Sequence, residues 1–146
     1  MSDKFIGTRA VSPQHAFDTG RLADWLRAHV EGFAGELTVE QFKGGQSNPT
    51  FLLSAGNKKY VMRRKPPGKL LPSAHAVDRE YRVISALAKT GVPVAKSYAL
   101  CQDDAVIGTA FYVMDYVAGR ILWDPALPGL QPSERTALFT EMNRVI

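Results

Sequence analysis

Cysteine is almost absent from this chain: Cys101 is the single one among 146 residues, which excludes an internal disulfide framework and a cysteine-rich zinc site. Its place in an apolar run reads as a small core residue. Long hydrophobic runs are missing too, since the longest uncharged apolar stretch, 105–114, falls well short of the roughly 20 residues that a membrane-crossing helix needs. The opening MSDKFIG lacks the basic region and apolar core of a secretion signal. A cytoplasmic protein with no membrane partner is therefore expected. Twelve glycines and nine prolines are too few and too scattered for a fibrous or low-complexity segment.

Acids are missing from one place in particular. The stretch KKYVMRRKPPGK at 58–69 carries six of the 18 basic side chains and no carboxylate, while the rest of the chain holds more acids than bases. Basicity confined to one hairpin favours a local phosphate or acidic-group site over a broad nucleic-acid face, so no nucleic-acid partner is expected. What is present, 45% hydrophobic and 22% charged residues, suits one ordinary domain with a real core.

Periodicity then divides the chain. Leu22, Trp25, Leu26, His29, Val30 and Phe33 recur at helical spacing, with Arg21, Asp24, Arg27 and Glu31 opposite, and Asp18 or Thr19 can cap that helix. His29, on the apolar stripe, reads as a packed core histidine. Strand-like runs follow at 38–43, 50–55 and 58–64, separated by GGQSNP and by a Gly-Asn turn, as in an antiparallel meander. Pro66, Pro67, Gly68 and Pro72 break that pattern, and Ser73 can cap a helix running to about Lys89, ahead of Gly91 and Pro93. Two further strands at 97–102 and 110–117 lead through a Pro/Gly-rich stretch to a last helix capped by Ser133. The expected fold class is α+β, a five-stranded antiparallel sheet with the 73–89 helix packed on it.

Three features can carry chemistry. In the turn Lys43-Gly44-Gly45-Gln46-Ser47-Asn48-Pro49, glycines let backbone N–H groups approach an anion, and Ser47 and Asn48 add side-chain donors; taken alone, it is a turn like many others. Side chains alternate along a strand, so Val61 and Arg63 share one face while Met62 and Arg64 share the other. One arginine must therefore point inward or into a cleft, and a buried guanidinium calls for a carboxylate or phosphate. Finally, Glu80 falls on the apolar stripe of Val77, Tyr81, Ile84 and Leu87, where a carboxylate is costly unless a cation on the neighbouring sheet pairs with it. A glycine turn, a cation on the next strand but one and a glutamate on the following helix together form a nucleotide-phosphotransferase pattern.

With those residues in place, the sequence resembles the aminoglycoside phosphotransferase-like (choline kinase-like) branch of the protein-kinase fold, particularly bacterial members similar to the kinase domain fused to acyl-CoA dehydrogenases. The resemblance runs over about residues 18–146, through FKGGQSNPTFLL, YVMRRKPPGKLLPSAHAVDREYRVISAL, GVPV and FYVMDYVAGR. It implies a kinase-like N-lobe at 37–117, an arm and helix before it at 1–36, and at 118–146 the hinge exit and first helix of a truncated helical C-lobe. By position, Gly44, Gly45, Ser47 and Asn48 would form the nucleotide-phosphate loop. Arg63 stands where kinases usually place a lysine, Glu80 is its helical partner, and Val61 is counted among the nucleotide contacts. Met114 to Val117 match the hinge, where the Asp115 carbonyl and the Val117 amide would meet adenine through backbone atoms.

The implied activity is ATP-dependent transfer of the γ-phosphate to a hydroxyl of a small molecule, such as a hydroxyacyl-CoA or an aminoglycoside-like alcohol. Its cofactors would be ATP and Mg2+. The family's His-Gly-Asp catalytic loop and its later magnesium-binding Asp motif do not occur here, since none of His15, His29 and His75 is followed by Gly-Asp. The catalytic residues and magnesium ligands are thus expected outside this chain, and the chain alone is expected to be inactive. Self-association through an exposed lobe interface is a further expectation. The alternative is a non-catalytic nucleotide-binding or interaction module from a truncated gene.

Overall fold

The computed structural model describes residues 2–44, 47–74 and 76–146. An antiparallel sheet runs through its centre, built from β1 (Thr8–Arg9), β2 (Leu37–Phe42), β3 (Thr50–Ala55), β4 (Lys58–Arg64), β5 (Ser97–Cys101) and β6 (Phe111–Asp115), in the order β1-β2-β3-β4-β6-β5. The α+β lobe thus stands as expected, but with six strands in place of five. The added strand, β1, is two residues long, too short to leave an alternating pattern in the sequence. Four α-helices accompany the sheet: α1 (Thr19–His29), α2 (Val77–Leu87), α3 (Asp104–Ile107) and α4 (Pro132–Val145).

Local chemistry sets these boundaries. The β3–β4 hairpin closes on Gly56 and Asn57, with Ala55 opposite Lys58 and Gly56 at φ +57°, a value glycine takes without strain. A side chain there is not the only difficulty, because Gly35 lies so close that a Cβ on it would meet the Gly56 nitrogen at 2.8 Å. Asp18 caps α1 by accepting from the Arg21 amide at 3.0 Å. The short α3 is capped by the Asp103 carboxylate on Ala105 N and ends at Gly108, φ +92°.

Helix α2 starts later than expected. Ser73 sits at φ +65°, outside the range of an N-cap, and the helix begins at Val77 with no side-chain cap; Asp78 and Glu80 in its first turn complement the helix dipole instead. Likewise α4 opens at Pro132, whose fixed φ suits the first helical position. Glu134 reaches back to the Gln131 amide at 2.7 Å, so Ser133 is not the cap.

The two faces of the sheet are covered by different helices, where the sequence pointed to one. On one face Leu22 and Leu26 of α1, with Val30 just after it, pack with Phe51, Leu53, Tyr60, Met62, Phe111 and Val113 in the main core, and Cys101 is buried there as expected. His29 is not in that core. It sits in the last turn of α1, exposed, with its ring stacked on Trp25 at 4.4 Å and Nδ1 2.9 Å from the Trp25 carbonyl. On the other face α2 packs chiefly on β5 and β6, where Val77 packs with Ala110 and Tyr112. The part of this face around Leu52 and Val61 is left as the wall of a hollow. Among the described residues no helix is long and apolar enough to cross a membrane.

Candidate functional site

Register decides which side chains reach the open face. Arg63 stands opposite Thr50 on β3 and Tyr112 on β6, and Val61 stands opposite Leu52 and Met114, so all six share one face. Arg64, the next residue, turns to the other side.

The two arginines have different fates. Arg64 is 3% exposed and gives Nε to Thr109 Oγ1 at 2.9 Å, Nη1 to the His15 carbonyl at 3.2 Å and Nη2 to the Ile107 carbonyl at 3.1 Å, with its guanidinium over the Phe17 ring. Burial pulls its pKa down, though an arginine keeps its charge. The expectation that an inward guanidinium takes a carboxylate or phosphate thus fails for Arg64. Backbone carbonyls and an aromatic face hold it, tying β4 to the N-terminal arm and α3.

Arg63 is the one that takes the carboxylate. Its Nη1 lies 3.1 Å from Glu80 Oε2, each side chain about one-third exposed. The carboxylate is fixed from two further directions: Asn48 Nδ2 donates to Oε1 at 3.0 Å, and the Tyr112 hydroxyl donates to Oε2 at 3.0 Å. Both oxygens are thereby engaged, and Glu80 is locked in one orientation. Desolvation, with the Glu80 charge next in weight, pushes the Tyr112 hydroxyl up to about 12, so it stays a donor at any physiological pH.

The sequence reading put Asn48 in the glycine turn and missed Tyr112. Tyr112 is the residue across the ladder from Arg63, and only the β4–β6 register reveals it. A second missed partner holds the end of β6. The Asp115 side chain accepts from the Tyr98 hydroxyl at 2.5 Å, and that hydroxyl in turn accepts from Lys58 Nζ at 2.7 Å.

Two cavities flank this constellation. One of about 570 Å³ is lined by Ser47, Asn48, Arg79 and Glu80. The other, of about 760 Å³, lies against Leu52 and Val61 on the sheet and Tyr116 and Val117 past β6. Ser47, Asn48 and Glu80 therefore share one hollow, and Val61 and Val117 the other. Met114 packs half-buried beside the Val77 cluster, and Gly44 stands at the start of the turn against Phe5. Gly45, named for the phosphate loop, lies outside the described residues. Among the described residues no group of three or more His, Cys, Asp or Glu side chains is placed to hold a metal ion.

Comparison with known proteins bears on this geometry. The model of the phosphotransferase enzyme family (APH) matches residues 38–146. The human protein named acyl-CoA dehydrogenase family member 11 is 50% identical over 133 residues, covering 88% of this chain and 17% of its own length. An Arabidopsis thaliana protein named probable acyl-CoA dehydrogenase IBR3 is 50% identical over 137 residues, covering 88% and 17%. A crystal structure from Ralstonia eutropha, provisionally named an aminoglycoside phosphotransferase, superposes with a TM-score of 0.76 at 61% identity, covering 89% of this chain and 37% of that one. The chain thus spans less than a fifth of the length of these curated relatives.

Proposed function

Because the chain belongs to the phosphotransferase enzyme family, we propose that it forms the nucleotide-binding half of an ATP-dependent enzyme that passes the γ-phosphate to a hydroxyl of a small molecule. One arrangement carries this reading: Arg63 paired with a Glu80 whose two oxygens are both held. A cation fixed in this way meets phosphate oxygens without first reorganising, which is the main service a protein renders in phosphoryl transfer. The Arg63 Nε–H is buried with no acceptor among the described residues, and a phosphate oxygen is the partner that would offset its desolvation. Arginine offers a planar fork where kinases usually offer a point charge, so it would grip two oxygens at once.

In the same reading Gly44, Ser47 and Asn48 line the phosphate path. Val61 forms the apolar roof over adenine, and Met114 to Val117 present the Asp115 carbonyl and Val117 amide to its edge. Magnesium, when bound, would neutralise charge on the phosphoryl oxygens, and its ligands and the catalytic aspartate belong to sequence outside 1–146. Residues 1–146 alone are accordingly inactive, and the setting is cytoplasmic. The relatives named acyl-CoA dehydrogenases favour a hydroxyacyl-CoA acceptor, with an aminoglycoside-like alcohol as the other candidate.

The test uses the complete polypeptide that carries this sequence, with Mg-ATP and a panel of hydroxyacyl-CoA and aminoglycoside acceptors. One acceptor class is phosphorylated, and Arg63→Ala lowers the rate about 100-fold or more. No transfer to any acceptor, or transfer untouched by Arg63→Ala, refutes the proposal. The second reading, a non-catalytic nucleotide-binding or interaction module, draws on the exposed apolar side chains of Ile121, Leu122, Trp123, Phe139 and Met142. It would show ADP binding and self-association without transfer.

A further inference from the structure

The N-terminal arm crosses the larger cavity. At one end it is sewn to the sheet: Thr8 pairs with Phe42 and Arg9 with Gln41, and the Lys43 amide donates to the Gly7 carbonyl at 3.1 Å. At the other end the Phe5 ring stacks on Trp123 with centroids 4.8 Å apart and planes 17° from parallel. Trp123 belongs to the segment after β6 and its ring would lie 3.8 Å from a Cβ on Gly44, so the stack closes at the edge of the glycine turn while residues 6–8 run along the cavity. The arm lies close to that turn, for a Cβ on Gly44 would come within 3.2 Å of the Phe5 carbonyl oxygen. Ile6, Gly7 and Thr8 line the same 760 Å³ cavity as Leu52, Val61 and Val117.

We propose that residues 5–8 are a strap that forms a wall of the purine-base pocket, fastened by the Phe5–Trp123 stack. The proposal rests on the nucleotide-site reading above and adds to it a base contact from residues ahead of those that the family model matches, 38–146. A cavity of this volume leaves room for a flat heterocycle between the strap and the Val61 roof, so the strap encloses the base and does not fill its place. Ile6 supplies apolar surface against it, and the strap's β1 anchor keeps the segment in register when the Phe5 end opens. Because Ile6, Gly7 and Thr8 line the base cavity, losing the strap weakens nucleoside binding more than binding of a bare polyphosphate.

The experiment uses the complete polypeptide and compares ADP with inorganic tripolyphosphate as probes, by calorimetry. Loss of one aromatic pair shifts a closed–open balance by about 2- to 12-fold, so Phe5→Ala, and a variant lacking residues 2–6, both raise the ADP Kd by that factor or more while raising the tripolyphosphate Kd by less. Thr8 and Arg9 remain in both variants, and an unchanged melting temperature verifies that the sheet is intact. An ADP Kd that is unchanged or lowered in both variants overturns the strap alone. Equal weakening of both probes also overturns it, since that is an effect on the whole lobe. A wild type that binds neither probe overturns the nucleotide-site reading together with the strap.

Discussion

Replacing each of two adjacent arginines by methionine should give opposite results. In Arg64→Met the side chain that is lost serves three acceptors, and the His15 and Ile107 carbonyls remain with Thr109 Oγ1 at a position 3% exposed. Each orphaned buried acceptor costs about 1–3 kcal/mol, against which stands the relief of removing a guanidinium buried without a carboxylate. The balance is a loss of about 2–3 kcal/mol, which for a chain of this size lowers the melting temperature by about 5–10 °C. In Arg63→Met only a partly exposed ion pair goes, each side chain about one-third exposed, and Glu80 keeps Asn48 and Tyr112. Such a pair is worth about 0–1 kcal/mol, so the melting temperature moves by no more than about 4 °C. Nucleotide affinity shows the reverse order, falling in Arg63→Met and holding in Arg64→Met below its melting range. Urea and thermal unfolding followed by circular dichroism, with calorimetric titration of ADP, read all four quantities. Equal destabilisation by the two variants, or a greater loss from Arg63→Met, would refute the assignment of the two faces.

Other outcomes follow from the same contacts. Tyr112→Phe removes a hydrogen bond to a charged acceptor and costs about 1–3 kcal/mol by urea unfolding at neutral pH. The Tyr112 hydroxyl is pushed above its unfolded value to about 12, so its stabilisation is complete below pH 10 and is lost as pH rises from there through 12; Tyr112→Phe flattens that part of the stability profile. Burial, with Arg64 and Arg9 next in weight, lowers the His15 pKa, so its contribution is complete above the ordinary histidine value and is lost as pH falls through the folded one; His15→Gln removes that acid-side slope in the same assay. Glu80→Gln weakens the hold on Arg63 and lowers ADP affinity about tenfold while leaving the fold intact by circular dichroism.

Much of this was legible because two periodicities intersect. Strand alternation separated Arg63 from Arg64, and helical spacing put Glu80 on the stripe that faces the sheet; the two periods call for a cation–carboxylate pair, and the resemblance named Arg63, which stands 3.1 Å from Glu80, as the cation. The fate of Arg64 was not legible, since two of its acceptors are backbone carbonyls, which every residue has. Tyr112 looked like one more apolar strand residue until β4 and β6 were set in register. The apolar stripe was plain in Leu22, Leu26 and Val30, yet it also swept in His29, which is exposed at the helix end. Ser73 had the composition of a cap but not the backbone, as the proline-rich approach delivers it at φ +65°. The arm at 2–9 has no period at all, and its stack on Trp123 joins residues too far apart for any local pattern to link them.

The most direct test of the central claim is a crystal structure of the complete polypeptide with a non-hydrolysable ATP analogue. The account predicts phosphate oxygens on the Arg63 guanidinium beside Ser47, with the Glu80 pair kept, and the base between Val61 and the Asp115–Val117 backbone. A nucleotide bound elsewhere, or one in the cleft with Arg63 turned away from its phosphates, would contradict it.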